Sequence, residues 1–290
     1  MKLLILGGNG MLGHHFYKSL RNDFDTKTTL REQYERYEYL KFFSKRDCFF
    51  GIDALNLNDI EQVIKFFKPD VVLNCIGITK KLINQSTEKL AYKINGEFPN
   101  RLSEICENNS AKLILLSTDC IFSGKKGNYS ENDETDADDV YGRSKILGEV
   151  LKNNTLVIRK STIGLELENK HGLIEWFISQ KGEIKGFKKA IYSGITAIEF
   201  TRVLKNIILN HMNLSGIYNL SSSPISKYEI LEYLKSQLNL SHIKIIPDNN
   251  FCCDRSLNMT KLYSEIKYIS PSWKTMLDEL ILKIKIKYNF

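Results

Sequence analysis

Residues 2–6, Lys-Leu-Leu-Ile-Leu, form a short, nearly unbroken apolar run that stops at a pair of glycines. Without polar alternation, such a run predicts a strand buried on both faces, the kind found in parallel sheets. The period then changes, because Met11, Leu12, His15, Phe16 and Leu20 recur at helical spacing. The opening unit therefore reads strand, glycine turn, helix. Further strands are predicted at 26–30, 49–52, 71–76, 112–116 and 155–158, with helices at 60–67, 90–108 and 141–151 and a charged aromatic helical excursion over 31–45. Alternating short apolar strands and amphipathic helices imply an α/β fold, a doubly wound parallel sheet with helices on both faces.

After Arg159 the rhythm breaks. Trp176, Phe177 and a run of Gly and Lys through Lys189 suggest a less regular segment, with Trp176 and Phe177 as core. Helices are expected at 199–209 and 228–238, a strand at 216–220, an extended segment at 243–246 and a terminal helix rich in Ile, Leu and Lys. The predicted division is a Rossmann-type domain over 1–165, with 190–222 returning to it, and a small α+β lobe from 166–189 and 223–290.

Composition narrows the class. With 290 residues and 42% hydrophobic content the chain can form one large or two modest cores. The apolar run before Gly7 is too short for a signal peptide and no stretch reaches membrane-spanning length, so a cytoplasmic protein without membrane partners is expected. Six cysteines without Cys-x-x-Cys spacing argue against a disulfide framework and against a zinc site, and no metal is expected. The net charge of +7 comes from scattered Lys and Arg, which speaks against nucleic-acid binding and suits an anionic cofactor and substrate. The acidic run 131–139 reads as a solvated loop with Asp139 near a helix N-terminus.

Three segments carry candidate chemistry. Glycines at 7, 10 and 13, with Met11 and Leu12 between the last two, stand between the first strand and the first helix, where a tight turn lets backbone approach a pyrophosphate resting on the helix N-terminus. Where an acidic residue would meet the adenosine ribose, Leu30 is followed by Arg31, which favours the phosphate of NADPH over NADH. Ser117-Thr118-Asp119 ends the fifth strand, at the carboxyl edge where doubly wound sheets bind ligands. Tyr141 and Lys145 lie one helical turn apart. A nearby cation and a bound cofactor can draw a phenol from its free pKa near ~10 towards neutrality. Hydroxyl, phenol and ammonium together suit carbonyl reduction, with Thr118 orienting, Tyr141 giving the proton and Lys145 tuning it and holding the nicotinamide ribose.

These motifs resemble those of the extended short-chain dehydrogenase/reductases, and among them the dTDP-4-dehydrorhamnose reductase (sugar-nucleotide 4-ketoreductase) group. The likeness rests on Gly7-x-x-Gly10-x-x-Gly13, Asp53-Ala54, 68–75, Asn95-Gly96, 117–124 and Tyr141-Gly-Arg-Ser-Lys145, with Arg159-Lys160-Ser161-Thr162 and Asp254-Arg255-Ser256-Leu257 further on. It implies a Rossmann domain that binds NADPH, or NADH as the alternative, through these glycines, Arg31, Asp53, Ala54, Cys75, Ile76, Gly77, Asn95, Tyr141, Lys145 and Ser161. It also implies a nucleotide-linked 4-keto-6-deoxy sugar as substrate, met by Thr118, Asp119, Cys120 and Arg255, the last at its diphosphate. The product would be an activated deoxysugar for polysaccharide synthesis.

Departures refine the expectation. Related dehydratases place Asp-Glu after the threonine, whereas this chain has Asp119-Cys120, which argues against dehydration. Thr-Asp-Cys-Ile-Phe is similar to a region of GDP-fucose synthase, whose cysteine works with a histidine; Cys120 and His171 could therefore epimerise C3 or C5 beside the ketone. The group also includes a regulatory partner of methionine adenosyltransferase, so a non-catalytic dinucleotide-binding subunit is the third reading. A homodimer is the default assembly.

Overall fold

Leu3, Leu4, Ile5 and Leu6 are fully buried, as an unbroken apolar run requires of a strand covered on both faces. The structure, a computed structural model, describes residues 1–168 and 170–290. Its contacts divide into two compact units. The first comprises Met1–Ser117, Asp138–Ile158 and Leu204–Ile217.

Strands β1 (Lys2–Leu6), β2 (Asp25–Thr29), β3 (Cys48–Phe49), β4 (Val71–Asn74), β5 (Lys112–Leu116) and β6 (Thr155–Arg159) lie in the spatial order β6-β5-β4-β1-β2-β3. Every neighbouring pair is parallel, with Leu3 beside Val71 and Leu73 beside Ile114. Gly216–Asn219 adds a seventh strand next to β6. Helices α1 (Met11–Leu20), α2 (Leu57–Phe67), α3 (Glu88–Ala91), α4 (Phe98–Asn108) and α5 (Val140–Leu147) supply the crossovers. Leu4, Leu6, Val72, Leu113 and Leu115 pack with Ile60, Ile64, Phe98 and Leu102 in one core.

Several local expectations are corrected. The stretch 31–45 is no full helix: it makes two single turns, Tyr34–Arg36 and Glu38–Leu40. Its rings engage basic side chains and each other, as with Lys45 over Tyr34 at 4.5 Å and Phe42 against Phe43 at 4.3 Å, and Lys41 in the left-handed region (φ 58°) ends the second turn. Strand β3 stops at Phe49, ahead of Gly51 with φ 73°, and β4 stops at Asn74, whose Oδ1 accepts the amide of Ile76 and turns the chain. The helical stretch 90–108 contains a π-helical turn, Tyr92–Glu97, between α3 and α4. Helix α5 ends at Leu147, short of 151, because the Gly148 backbone folds over its last turn.

The second unit comprises Thr118–Ala137, Arg159–Val203 and Tyr218–Phe290. The supposedly irregular segment is instead α6 (Leu173–Ile178), with Phe177 fully buried, followed by an eleven-residue strand Gly182–Tyr192. Lys185 and Lys189 on the solvent face, and Lys188 among Ile184, Ala190 and Tyr192 on the other, disguise a strand as a polar loop. This strand is the centre of a three-stranded sheet, parallel to Ile243–Asp254 and antiparallel to Ile225–Ser226. The expected extended piece 243–246 is thus the start of a twelve-residue strand. Thr162–Ile163 pairs with Ile195–Thr196, and helices Lys227–Gln237, Thr260–Ile266 and Trp273–Tyr288 also belong to the unit.

The division differs from the predicted 165 and 190 boundaries. Residues 118–137 go with the second unit because Tyr129 bridges to Leu257, Gly124 accepts the amide of Asp254 and Asn128 donates to Ser256 Oγ. Residues 190–192 stay with it as the end of the long strand. Among the described residues no helix is long and apolar enough to cross a membrane, and no group of His, Cys, Asp and Glu could hold a metal ion.

Helix Lys227–Gln237 starts on a capping box in which Ser226 and Glu229 satisfy each other's backbone amides. Ser226→Ala is expected to destabilise the protein by about 1 kcal/mol, seen as a lower urea midpoint at unchanged slope; an unchanged midpoint would show that the cap is idle.

Candidate functional site

The turn between β1 and α1 can only be made by glycine. Gly7 has φ 81°, and its amide and that of Gly8 bond Thr29 Oγ1 and Thr29 O at 3.1 and 2.9 Å. A Cβ on Gly8 would lie 2.2 Å from Thr28 Oγ1, and one on Gly13 would lie 2.1 Å from Gly7 O. Helix and strand therefore approach backbone to backbone. Gly10 caps α1 without a side chain and the first turn, begun by Met11 and Leu12, carries no acidic residue. The positive end of the helix dipole is left for an anion. This cradle fits a dinucleotide pyrophosphate, since glycines at 7, 8 and 13 let strand and helix close up and Gly10 leaves the helix N-terminus uncovered by a side chain.

Around the cradle, Arg31 follows β2 with a side chain 70% exposed and a 3.2 Å ion pair to Glu32. Asp53 Oδ1 accepts the amide of Leu55 at 2.8 Å, a turn role, and Ala54 is buried. The loop after β4 begins with the amide of Cys75 on Leu6 O at 3.0 Å, and Ile76 lies against Gly7, where a Cβ would meet its side chain at 2.8 Å. Gly77 faces Asn95, whose Oδ1 would be 3.2 Å from a Cβ there.

Asn95 joins that loop to α5. Buried in the π-helical turn, it accepts the amide of Ile78 at 2.9 Å and donates to Ile78 O at 2.9 Å and to Ser144 Oγ at 3.0 Å. Ser144 donates in turn to Tyr141 O at 2.8 Å. Tyr141 and Lys145 are thus one turn apart on a helix held from behind. Its N-terminus is capped as expected by Asp139, which accepts the amide of Gly142 at 2.7 Å and pairs with Lys80 at 2.6 Å. Lys145 Nζ donates to Leu116 O at 2.7 Å. The first unit therefore carries the glycine cradle, Arg31, Asp53, Ala54, the 75–77 loop, Asn95, Tyr141 and Lys145.

The second unit carries the rest. Thr118 Oγ1 accepts the amide of Cys120 at 3.1 Å and donates to Asp119 Oδ1 at 3.2 Å. Asp119, Cys120, Ser161 and Arg255 line one cavity of about 270 Å³. Arg255 Nε donates to Phe122 O at 2.7 Å and its Nη1 lies 3.7 Å from Cys120 Sγ. Burial raises the Asp119 carboxyl above its usual range, against the opposing pull of Arg255. Burial, with Asp119 beside it, pushes the Cys120 thiol up to about 12. A thiol so placed is neutral near pH 7 and is no ready base. His171, its supposed partner, is exposed, donates its amide to Glu166, and does not line this cavity.

Two cavity residues escaped the sequence reading. Thr162 and Tyr192 both line it, and both hydroxyls are buried without a hydrogen-bond partner. Thr162 belongs to a segment whose likeness was noted for Ser161. Tyr192 was hidden because its strand was read as irregular; the Tyr-Ser-Gly end of an apolar-lysine alternation was the available signal.

Comparison with known proteins places this geometry. The family described as RmlD substrate binding domain matches residues 1–285. A dTDP-4-dehydrorhamnose reductase of Aggregatibacter actinomycetemcomitans is 27% identical over 239 residues, 79% of this chain and 76% of its own. The methionine adenosyltransferase 2 subunit beta of Danio rerio is 24% identical over 261 residues, 85% and 76% of the two chains. A solved Bacillus anthracis dTDP-4-dehydrorhamnose reductase in complex with NADP superposes with a TM-score of 0.78 at 22% identity, covering 97% of this chain and 98% of its own, which shows the shared fold.

The raised Cys120 thiol has a chemical consequence. Iodoacetamide at pH 8 is expected to modify exposed Cys252 well before Cys120 and the buried Cys106. Peptide mass spectrometry follows the order, and Cys120 reacting as fast as Cys252 would restore it as a candidate base.

Proposed function

The chain belongs to the RmlD substrate binding domain family, and from that premise we propose that it is an NADPH-dependent oxidoreductase that reduces the C4 ketone of a nucleotide-linked 4-keto-6-deoxy sugar. The observation that carries the reading is the Tyr141–Lys145 pair, held by Asn95 and Ser144 in the same unit as a glycine cradle that fits a pyrophosphate. The bound nicotinamide supplies the hydride. What the chain adds is proton management. Tyr141 gives its phenolic proton to the ketone oxygen as negative charge develops there, and Lys145 favours the phenolate left behind. Thr118, by the motif it belongs to, is assigned the orienting hydroxyl. Asp119, Cys120 and Arg255 are assigned to the nucleotide-sugar, with Arg255 at the diphosphate, and Ser161 to the nicotinamide side. Deoxysugar supply for a polysaccharide follows as the cellular role.

The likeness to the adenosyltransferase subunit supports a second reading, a non-catalytic dinucleotide-binding subunit. Retention of Thr118, Tyr141 and Lys145 favours the enzyme.

Absorbance at 340 nm with NADPH and a panel of dTDP-, UDP-, GDP- and CDP-linked 4-keto-6-deoxy sugars tests the reading. Tyr141→Phe should lower kcat by about 10²- to 10⁴-fold. A Tyr141→Phe protein that sustains the cellular function would favour the binding subunit. Exposed Arg31 gives a cofactor test: Arg31→Ala should raise KM for NADPH by roughly tenfold and leave that for NADH little changed. Equal effects on both would remove Arg31 from the 2′-phosphate.

A further inference from the structure

In the sheet order β5-β4-β1 the carboxyl end of β4 lies between the two halves of the first unit's site. The glycine cradle follows β1, and Lys145, one turn beyond Tyr141, reaches Leu116 O at the end of β5. A dinucleotide with its pyrophosphate in the cradle and its nicotinamide beside Tyr141 must cross the end of β4, where the chain runs on as residues 75–87. That segment is fastened to the Tyr141 side twice, and the two fastenings differ in kind. The inner one is buried: Asn95 accepts the Ile78 amide at 2.9 Å and donates to Ile78 O at 2.9 Å and to Ser144 Oγ at 3.0 Å. The outer one is an ion pair in which Lys80 Nζ lies 2.6 Å from Asp139 Oδ2, with the two side chains 56% and 29% exposed. Asp139 uses its other oxygen to cap the Tyr141 helix, accepting the Gly142 amide at 2.7 Å. One carboxylate thus starts the helix and holds the crossing segment.

We propose that Lys80, acting through Asp139, is a positioning residue that closes residues 79–87 across the bound dinucleotide and thereby sets how long the cofactor stays. The inference rests on the functional reading above, which runs the cofactor from the cradle to Tyr141. A buried amide with all its bonds made lets go only with the fold, so Ile78 is a fixed end of the segment, and α3 begins at the other. An exposed ion pair is weak, is screened by salt, and parts and re-forms while the fold persists. The Lys80 contact is therefore the one that opens. The rest of the segment holds its own shape, since Thr87 Oγ1 donates to Leu82 O at 2.9 Å and the Ser86 amide to Asn84 Oδ1 at 2.9 Å. Residues 79–82 and 84–86 are exposed, so no other part of the chain covers this stretch. Neither Lys80 nor Asp139 has to touch the cofactor, because they act by where they hold the segment. Arginine at 80 keeps the charge, and asparagine at 139 keeps the cap while losing it, which separates the latch from the start of the helix.

Stopped-flow release of NADPH from the full-length protein, followed by the cofactor's fluorescence, tests this without any sugar. Lys80→Ala and Asp139→Asn should each raise koff by roughly 2- to 5-fold. The double variant should release NADPH no faster than the faster single one, because both changes remove the same contact. Lys80→Arg should restore the native rate, and the gap between native protein and Lys80→Ala should close in concentrated salt. Melting temperatures of the cofactor-free variants should match the native one. An unchanged koff in Lys80→Ala overturns the proposal, as do effects that multiply in the double variant. So does a fast Lys80→Ala beside a native-like Asp139→Asn, which would mean that the ammonium meets the cofactor directly. A faster release that Lys80→Arg fails to restore, or one that comes with a lower melting temperature, would mean a loosened fold and also overturns it. The two readings fail separately. A protein that follows this pattern with NADPH but reduces no 4-keto sugar loses the catalytic reading alone, and one that reduces such a sugar while Lys80→Ala releases NADPH at the native rate loses this inference alone.

Discussion

The hydrogen bonds of Asn95 hold the first unit's chemistry in register. One buried amide uses its oxygen on the Ile78 amide and its nitrogen on Ile78 O and Ser144 Oγ. It thereby ties the loop beyond β4 to the helix that carries Tyr141 and Lys145. The packing has no slack around it: a Cβ on Gly148 would lie 2.0 Å from Asn95 O, and one on Gly96 would lie 3.1 Å from Leu147. Asn100 completes the clamp with bonds to Gly96 O and Leu147 O, both at 2.8 Å. Side chains on a helix are only as well placed as the helix, and here the helix is positioned by backbone contact and a satisfied amide instead of by adaptable apolar packing.

The second unit follows the opposite principle. Its cavity leaves polar groups under tension: a carboxyl raised by burial, a thiol pushed up to about 12, and two hydroxyls without partners. The raised carboxyl and the unpartnered hydroxyls cost stability in the folded chain, whereas the thiol, neutral near pH 7 whether folded or not, does not. The first unit is therefore satisfied and close-packed around its Asn95, and the second keeps unmet hydrogen-bonding capacity.

Much of this was legible in the sequence. The buried parallel strands announce themselves as continuous apolar runs, and the glycines at 7, 10 and 13 sit where period 2 gives way to period 3.6. Of the first-unit residues expected at a cofactor, Ile76 packs on Gly7 and Asn95 ties the 75–78 loop to the Tyr141 helix, while Arg31, Asp53 and Ala54 share only the unit; Asp119, Cys120, Ser161 and Arg255 meet in one cavity. What escaped has physical reasons. The strand Gly182–Tyr192 carries lysines and glycines where propensity asks for β-branched residues, and its pairing with Ile243–Asp254 along most of its length and with Ile225–Ser226 at its end makes it a strand. The aromatic stretch 31–45 has apolar residues enough for a helix but spends its rings on cations. The pairing of Cys120 with His171 came from likeness between motifs, and the structure leaves His171 outside the cavity.

The π-helical turn Tyr92–Glu97 amounts to one residue more than an α-helix would hold over the same path. Removing a single residue there would lengthen no loop and break no strand; the segment could close up as regular α-helix. Because the wide turn absorbs that residue locally, the turns on either side would keep their phase; a residue lost from the regular helix beyond it would instead rotate one side by about 100° relative to the other. Tolerance to a change in chain length along this helical stretch is thus confined to the one turn that carries Asn95.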